Sequence, residues 1–297
     1  MALSVLVSGA SGLIGSQLCA GLEADGHRVL RLVRHPAEGV DEVGWDPGSR
    51  TIDFRVMERV DAVVNLSGAS LSRLPWTRAY KRTLVSSRVQ ATRTLTDAMG
   101  MAKHPPATFL SASAVGIYGD RPGARLTEES PAGDGFLANL VRTWEAAAHR
   151  APEQTRVVTI RSGLVLGRGG AMRPLLPLAR LGLGGPIGTG KQYWPWISLH
   201  DEAGAIRHLL TSELSGPVNL AGPVPVPAAE VVRTLAHHLR RPYGFPAPRW
   251  ALELALHDAA RELLLSDQRV VSQRLVDDGF AFEHATVAQA IEWLLSR

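Results

Sequence analysis

The stretch Val5-Leu6-Val7-Ser8-Gly9-Ala10-Ser11-Gly12-Leu13-Ile14-Gly15 constrains this chain more than any other. Three β-formers run into three glycines spaced G-x-x-G-x-x-G, and a helical pattern follows through Gln17, Leu18 and Leu22 to Gly26. A strand, a tight turn and a helix N-terminus in that order make a phosphate cradle. Backbone N–H groups and the helix dipole point at the anion, and glycine lets the backbone approach it. A glycine triplet alone says little, but between a strand and a helix it predicts a dinucleotide-binding turn. Gly9, Ser11, Gly12, Leu13, Ile14 and Gly15 are the positions expected to line it.

The next apolar run, Arg28-Val29-Leu30-Arg31-Leu32-Val33-Arg34, reads as a second strand. Its end lies about twenty residues past the glycines, where folds of this kind read the adenosine ribose. A carboxylate there accepts from a 2′-hydroxyl and favours NAD; an arginine suits the 2′-phosphate of NADP. The chain has Arg34 followed by His35, with the first acids only at Glu38 and Asp41, so the expected cofactor is NADP(H).

Asp61-Ala62-Val63-Val64-Asn65-Leu66-Ser67-Gly68 reads as a buried parallel strand whose polar end, Leu66, Ser67 and Gly68, lines the cofactor crevice. A long helix follows with Val85, Val89, Thr92, Leu95 and Met99 on one face. Thr108 to Ser113 is another strand, with Ser111 and Ala112 expected at the cofactor. A loop to Asp134 follows, and Asp134 is expected to cap the helix bearing Phe136, Leu140 and Trp144. Val157 to Arg161 continues the alternation. Strands alternating with helices argue an α/β fold, a Rossmann-like doubly wound parallel sheet. Beyond Arg161 the sequence turns rich in Gly, Pro and Leu and then helical over 228–239, 250–265, 268–278 and 287–295. The expected division is a nucleotide-binding domain over 1–165 and a smaller, mainly helical substrate lobe over 166–297, with 200–222 free to rejoin the sheet.

Composition excludes several classes. Net charge is +4, but the three lysines (Lys81, Lys103, Lys191) and the arginines are scattered, with no basic run to meet a nucleic acid. No basic segment precedes the first strand, so no signal peptide is expected, and no apolar run approaches a membrane span. The single Cys19 forms no intrachain disulfide and suits a packing role in a reducing cytoplasm. No metal-ligand spacing, Gly-x-Ser-x-Gly elbow or Walker motif occurs. A monomer and a homodimer fit equally well.

Together, the glycine turn, Asn65-Leu66-Ser67-Gly68 and Ser111-Ala112-Ser113…Tyr118-Gly119 resemble the extended short-chain dehydrogenase/reductases of the NAD-dependent epimerase/dehydratase group. Gly44-Trp45-Asp46-Pro47, Leu126-Thr127-Glu128-Glu129-Ser130-Pro131, Trp144-Glu145 and Arg161-Ser162-Gly163-Leu164-Val165-Leu166-Gly167 are similar to an atypical subgroup called epimerase family proteins. So are Glu262 to Val270 and Gly279-Phe280-Ala281-Phe282, in the short C-terminal module, about 245–293, that closes that subgroup.

The resemblance implies an NADP(H)-dependent oxidoreductase or epimerase acting on a small molecule. Such enzymes pair a tyrosine acid/base with a lysine four residues on, which lowers the phenol pKa, and add a serine that polarises the substrate oxygen. Ser113 matches the serine. The pair is missing: four residues beyond Tyr80, Tyr118, Tyr193 and Tyr243 stand Leu84, Pro122, Ile197 and Ala247. Phe136-Leu137-Ala138-Asn139-Leu140 fills the stretch where it belongs. Tyr118 is the candidate substitute acid, with Glu145 a weaker one. The rival expectation is a nucleotide-binding sensor without hydride chemistry. Trp194 and Trp196 suit either a pocket wall or a core.

Overall fold

The computed structural model describes residues 2–296. Strands β1 (Ser4–Ser8), β2 (Arg28–Val33), β3 (Glu42–Asp46), β4 (Thr51–Ile52), β5 (Ala62–Asn65), β6 (Thr108–Ala114), β7 (Arg156–Ser162) and β8 (Gly216–Leu220) form one sheet. Their order is β8-β7-β6-β5-β1-β2-β3-β4, parallel except at the β3–β4 pair. The helices are α1 (Leu13–Ala24), α2 (Arg78–Met101), α3 (Phe136–Ala148), α4 (Met172–Arg180) and α5 (Leu199–Thr211). They continue with α6 (Ala228–His238), α7 (Arg249–Leu256), α8 (Gln273–Asp277) and α9 (Val287–Ser296).

A sheet buried on both faces needs apolar residues at consecutive positions, which is why β1 and β5 read as unbroken Val, Leu and Ala. Val5, Val7, Val64, Leu110, Ile160 and Val218 pack with Leu18 and Leu22 of α1 and Ile206 and Leu209 of α5. Leu6, Leu30, Val63 and Phe109 face the other way, onto Ala91, Leu95 and Met99 of α2. Cys19 lies in the first of these cores, buried and unpaired. The strand order reverses at β1, which has β2 on one side and β5 on the other. Ligands of such sheets enter the crevice at that point, outside the C-terminal strand ends.

The sheet does not stop at residue 165. Strand β8 pairs with β7, Pro217 beside Thr159 and Val218 beside Ile160, and α5 covers the face that α1 begins. Residues 216–220 thus rejoin the sheet, within the 200–222 stretch that the sequence leaves free to do so. Helices α4, α6 and α9 pack around Trp194 and Trp196 in a separate core. These indoles are 3% and 1% exposed and donate to Leu264 O at 3.1 Å and Val224 O at 2.9 Å, so they are core and line no pocket.

The helices expected over 250–265 and 268–278 are broken. Helix α7 ends at Leu256, His257 takes a left-handed φ of 52°, and a single π turn spans Ala260–Leu264. Arg269–Val270 then pairs in parallel with Arg125–Leu126. Tertiary contact overrides helical propensity here, because residues 257–272 lie against the loops of the nucleotide-binding part. Gln268 Nε2 donates to Gly119 O at 2.9 Å, and the Arg121 N–H to Asp267 O at 3.0 Å. No helix among the described residues is long and apolar enough to cross a membrane.

Candidate functional site

Close packing at the β1–α1 turn explains its glycines. Gly9 has φ +73°, and a Cβ there would stand 2.9 Å from the Leu66 carbonyl carbon and oxygen. A Cβ on Gly15 would lie 2.1 Å from Gly9 O, so only glycine lets α1 start this close to β1. Gly12 is looser, its Cβ position 3.1 Å from Gly9 O, and as N-cap it offers no capping side chain. The first N–H groups of α1 are thus left open to an anion. Ser11 and Gly12 are exposed, and Leu13 and Ile14 half-buried. Leu13 also lies against Gly167, Gly169 and Gly170, which bring the loop after β7 over the start of α1.

A buried polar network fixes the neighbouring strand end. Ser8 Oγ donates to Asn65 Oδ1 at 2.7 Å, and Asn65 Nδ2 to Thr92 Oγ1 at 2.9 Å. Trp144 Nε1 donates to that same Thr92 oxygen at 3.0 Å. Leu66 and Ser67 are half-buried and Gly68 is exposed, all three at the crevice rim with the glycine turn. Ala112 is half-buried, whereas Ser111 is fully buried with Oγ 3.5 Å from Asn65 Nδ2. Ser111 therefore props the floor and does not face the crevice. Arg34, at the end of β2, is exposed and has no acidic partner among the described residues. A cation held there without a counter-ion suits a phosphate and not a ribose hydroxyl.

The motifs of the sequence leave out Arg88. It is 7% exposed, donates to Leu84 O at 3.0 Å, and lies with Cζ 5.1 Å from the Trp144 ring centroid. Its guanidinium packs under Gly68, where an added Cβ would be 3.1 Å from Cζ. Burial without a carboxylate lowers its pKa to about 10. The signal was present: Leu84, Arg88, Ala91 and Leu95 follow helical spacing, so an arginine interrupts the buried stripe of α2. The stripe expected through Val85 and Val89 is rotated by one residue.

The candidate catalytic residues meet in a second network, at the ends of β6 and β7. Ser113 Oγ donates to Glu145 Oε1 at 2.6 Å. Arg161 grips both oxygens of that carboxylate, Nε to Oε1 at 2.9 Å and Nη2 to Oε2 at 3.0 Å. Arg161 Nη1 also donates to the Tyr118 hydroxyl at 3.0 Å, and that hydroxyl donates to Asn219 Oδ1 at 2.6 Å. The Asn219 N–H donates to Glu128 Oε1 at 3.0 Å. Burial alone would lower the Arg161 pKa, but the hydrogen bonds and charge of Glu145 and Tyr118 hold it above its ordinary value. Burial raises the Tyr118 pKa, with Arg161 opposing in part.

This geometry corrects the expectation for Tyr118. Its side chain is fully buried, its proton goes to Asn219 and its lone pair to Arg161, so it has no proton to pass to a ligand. Glu145 is a carboxylate clamped by arginine and accepts only. Ser113, 4% exposed, spends its hydrogen on Glu145.

Asp134 does not cap α3. The N-cap is Gly135, and the capping carboxylate comes from Glu262, whose oxygens accept the N–H groups of Phe136 at 2.7 Å and Leu137 at 2.6 Å. Nearby, Lys81 pairs with Asp258 and lies over the Phe136 ring. The C-terminal segment thus covers Phe136 and Leu137, in the stretch where the resemblance implies a tyrosine and lysine. One further acid is buried behind the end of β7. Glu202, in the first turn of α5, is completely buried, and Ser162 Oγ donates to its Oε1 at 2.5 Å. Among the described residues no cluster of His, Cys, Asp or Glu is arranged to hold a metal.

Comparison with known proteins agrees with this architecture. The family model described as NAD dependent epimerase/dehydratase family matches residues 5–221, and a domain of unknown function, DUF1731, matches residues 247–294. An epimerase family protein of Mycobacterium tuberculosis is 40% identical over 99% of this chain and 98% of its own length. The crystal structure of human epimerase family protein SDR39U1 (isoform 2) with NADPH superposes with a TM-score of 0.90 at 34% identity, covering 99% of each chain. A nucleoside-diphosphate sugar epimerase from Corynebacterium glutamicum gives a TM-score of 0.81 at 31% identity, over 99% of this chain and 58% of that one. This chain belongs to the NAD dependent epimerase/dehydratase family, with the short C-terminal module of the epimerase family proteins.

Proposed function

We propose that the chain binds NADP(H) across the ends of β1 and β5 and acts as an NADP(H)-dependent oxidoreductase or epimerase on a small molecule held by the second lobe. The observation that carries the cofactor half is the Gly9–Gly15 turn, packed too tightly for any side chain at Gly15, together with Arg34 lacking an acidic partner. The relative solved with NADPH, 34% identical, supports the same choice. In this reading Gly12, Leu13 and Ile14 present N–H groups to the pyrophosphate, Arg34 takes the 2′-phosphate, and Arg88 offers a cation from beneath Gly68. Bound there, the nicotinamide supplies or accepts a hydride. The Ser113–Glu145–Arg161–Tyr118 network keeps the ends of β6 and β7 rigid beside it. NADPH titration followed by cofactor fluorescence tests the reading. Wild type is expected to bind, and Gly12→Val, which fills the anion's space, is expected not to. Equal affinity in both would overturn it.

The rival reading, a nucleotide sensor without hydride chemistry, is favoured by one observation: Tyr118, Glu145 and Ser113 all have their protons or lone pairs committed within one network that Arg161 and Asn219 complete. A carbonyl and alcohol screen read at NADPH absorbance separates the two. Turnover supports the enzyme, and tight binding with no turnover across the screen supports the sensor.

A further inference from the structure

Reducing a carbonyl requires a hydride for carbon and a proton for oxygen; the two groups expected to give that proton, Tyr118 and Glu145, and the serine expected to polarise the oxygen, Ser113, are committed elsewhere. Ser162 and Glu202 bond each other, but no arginine clamps that carboxyl and its second oxygen is bare. Ser162 ends β7, in register with Ala114 of β6 and Leu220 of β8, and is half-exposed at the crevice. Because side chains alternate along a strand, Ser162 leaves the sheet on the face opposite Arg161, toward α5. There it meets Glu202 Oε1 at 2.5 Å. The other oxygen, Oε2, is buried with no partner. Gly167 touches both Leu13 of α1 and Leu199 of α5, so this helix start flanks the glycine turn. Strand β7 stands three strands from β1, about 14 Å at strand spacing, on the side to which a nicotinamide would extend from the pyrophosphate.

We propose that Ser162 and Glu202 form a proton relay at the reacting end of the crevice, with Ser162 facing the reacting oxygen and Glu202 as the proton store behind it. This inference rests on the enzyme reading above. A carboxylate with one bare buried oxygen is costly, so the group holds its proton, and burial pushes its pKa up to about 8 against a single opposing hydrogen bond from Ser162. Ser162 Oγ is the acceptor within reach, so the proton belongs on Oε1. In that protonated state the 2.5 Å contact, which an ionised Glu202 accepts from Ser162, runs instead from carboxyl to serine and frees the serine hydrogen for the crevice. In reduction the hydride pair goes from NADPH to carbon, the Ser162 proton goes to oxygen, and the Glu202 proton replaces it. The products are the alcohol, NADP⁺ and a Glu202 carboxylate; oxidation runs the same transfers backward.

Among the described residues no other charge competes for Glu202. On α5 itself Asp201 is turned to Ser198 and the backbone of Glu283 and His284, His200 pairs with Glu283, His208 with Asp278, and Arg207 with Asp25 of the α1 C-terminus. Of the titratable groups on α1, Cys19 has its pKa raised by burial and Glu23 pairs with Arg31. On β7, Arg161 is on the far face with Glu145.

The relay predicts a linkage that needs no substrate. Oxidised nicotinamide is cationic and reduced nicotinamide neutral, so NADP⁺ favours the Glu202 carboxylate and NADPH does not. The ratio of NADP⁺ to NADPH affinity is expected to rise several-fold from pH 6 to pH 8, because proton release accompanies NADP⁺ binding alone. The 2′-phosphate and the histidines act alike on both cofactors and cancel in the ratio. Titrations of each cofactor at several pH values, repeated calorimetrically in buffers of different ionisation enthalpy, measure both effects. Glu202→Gln is expected to remain folded, as a cooperative melt would show, and to give a ratio flat with pH. Ser162→Ala is expected to keep the pH-dependent ratio and to lose turnover of any substrate found in the screen. A wild-type ratio flat with pH, or a slope retained in Glu202→Gln, overturns the relay while leaving cofactor binding intact. Failure of both cofactors to bind refutes the underlying reading instead.

Discussion

Replacing Glu145 by alanine tests whether the Ser113 network is scaffold. The Arg161 and Glu145 side chains are 8% and 12% exposed, and the guanidinium takes both carboxylate oxygens. The substitution leaves Arg161 buried without its counter-ion and Ser113 without its acceptor. Removing one partner of a buried pair costs about 3–5 kcal/mol, because the remaining charge has already lost its water. At the usual unfolding entropy per residue, a chain of this length would lose about 5–8 °C in Tm. Glu145→Gln keeps an oxygen that can accept from both Ser113 and Arg161 Nε, but sets an amide NH2 against Arg161 Nη2, and so falls between. The double variant Glu145→Leu/Arg161→Met removes both charges and is expected to recover much of the loss, since apolar replacements of buried pairs are often neutral or better. Thermal and urea unfolding followed by circular dichroism measure all three. A loss below about 1 kcal/mol for Glu145→Ala, or a double variant as unstable as the two singles combined, would refute the claim that this network is a dry, coupled unit.

Other outcomes follow from the same geometry. Arg34→Ala is expected to weaken NADPH about ten- to a hundredfold, the loss of one charge-assisted contact of roughly 1.5–3 kcal/mol, and to leave NADH nearly untouched; parallel titrations would show equal losses if Arg34 does not read the phosphate. Tyr118→Phe strips the donor from Asn219 and the acceptor from Arg161 and is expected to cost about 1–3 kcal/mol in urea unfolding, with NADPH affinity unchanged; a weakened affinity would put the phenol back at the ligand. Glu202 gives stability a pH dependence of known sign. Its folded pKa, about 8, stands above the ordinary 4.5, so its contribution is whole below pH 4.5 and lost as pH rises through 8, by about 1.4 kcal/mol per unit between. Denaturation at pH 6 and pH 8.5 is expected to show wild type losing stability relative to Glu202→Gln, and parallel curves would count against the buried acid.

The parts of this fold written locally were legible. Gly9, Gly12 and Gly15 follow a strand and open a helix, so their backbone role could be read without any partner, and Val63-Val64 announced a strand covered on both faces. Arg34 was placed by its distance along the chain. What escaped depended on residues far apart in sequence. Nothing near Asp134 says that Glu262, 126 residues beyond Phe136, takes the cap instead. Tyr118 looks available until Asn219 and Arg161 arrive at its hydroxyl. Helix propensity over 250–278 is real, and Trp250 and Leu254 are even left exposed on α7, but contacts with the 119–126 loop outbid it beyond Leu256. Arg88 and Glu202 were visible as charges inside apolar stripes, a pattern by which the sequence alone can mark a buried ion.

The Glu262 cap also bears on how the molecule is made. During synthesis the segment that becomes α3 emerges well before the residue that completes its first turn, and the same delay separates Arg125–Leu126 from the strand that pairs with it. A nascent chain therefore reaches the stage of a formed sheet with α3 uncapped and the loop after β6 uncovered. Contacts that span so much sequence are closed last, after the loop entropy has been met. The cap is supplied by residues translated well after the last strand of the sheet, so a ribosome stalled before residue 262 would hold a dinucleotide fold with the start of α3 still open to water.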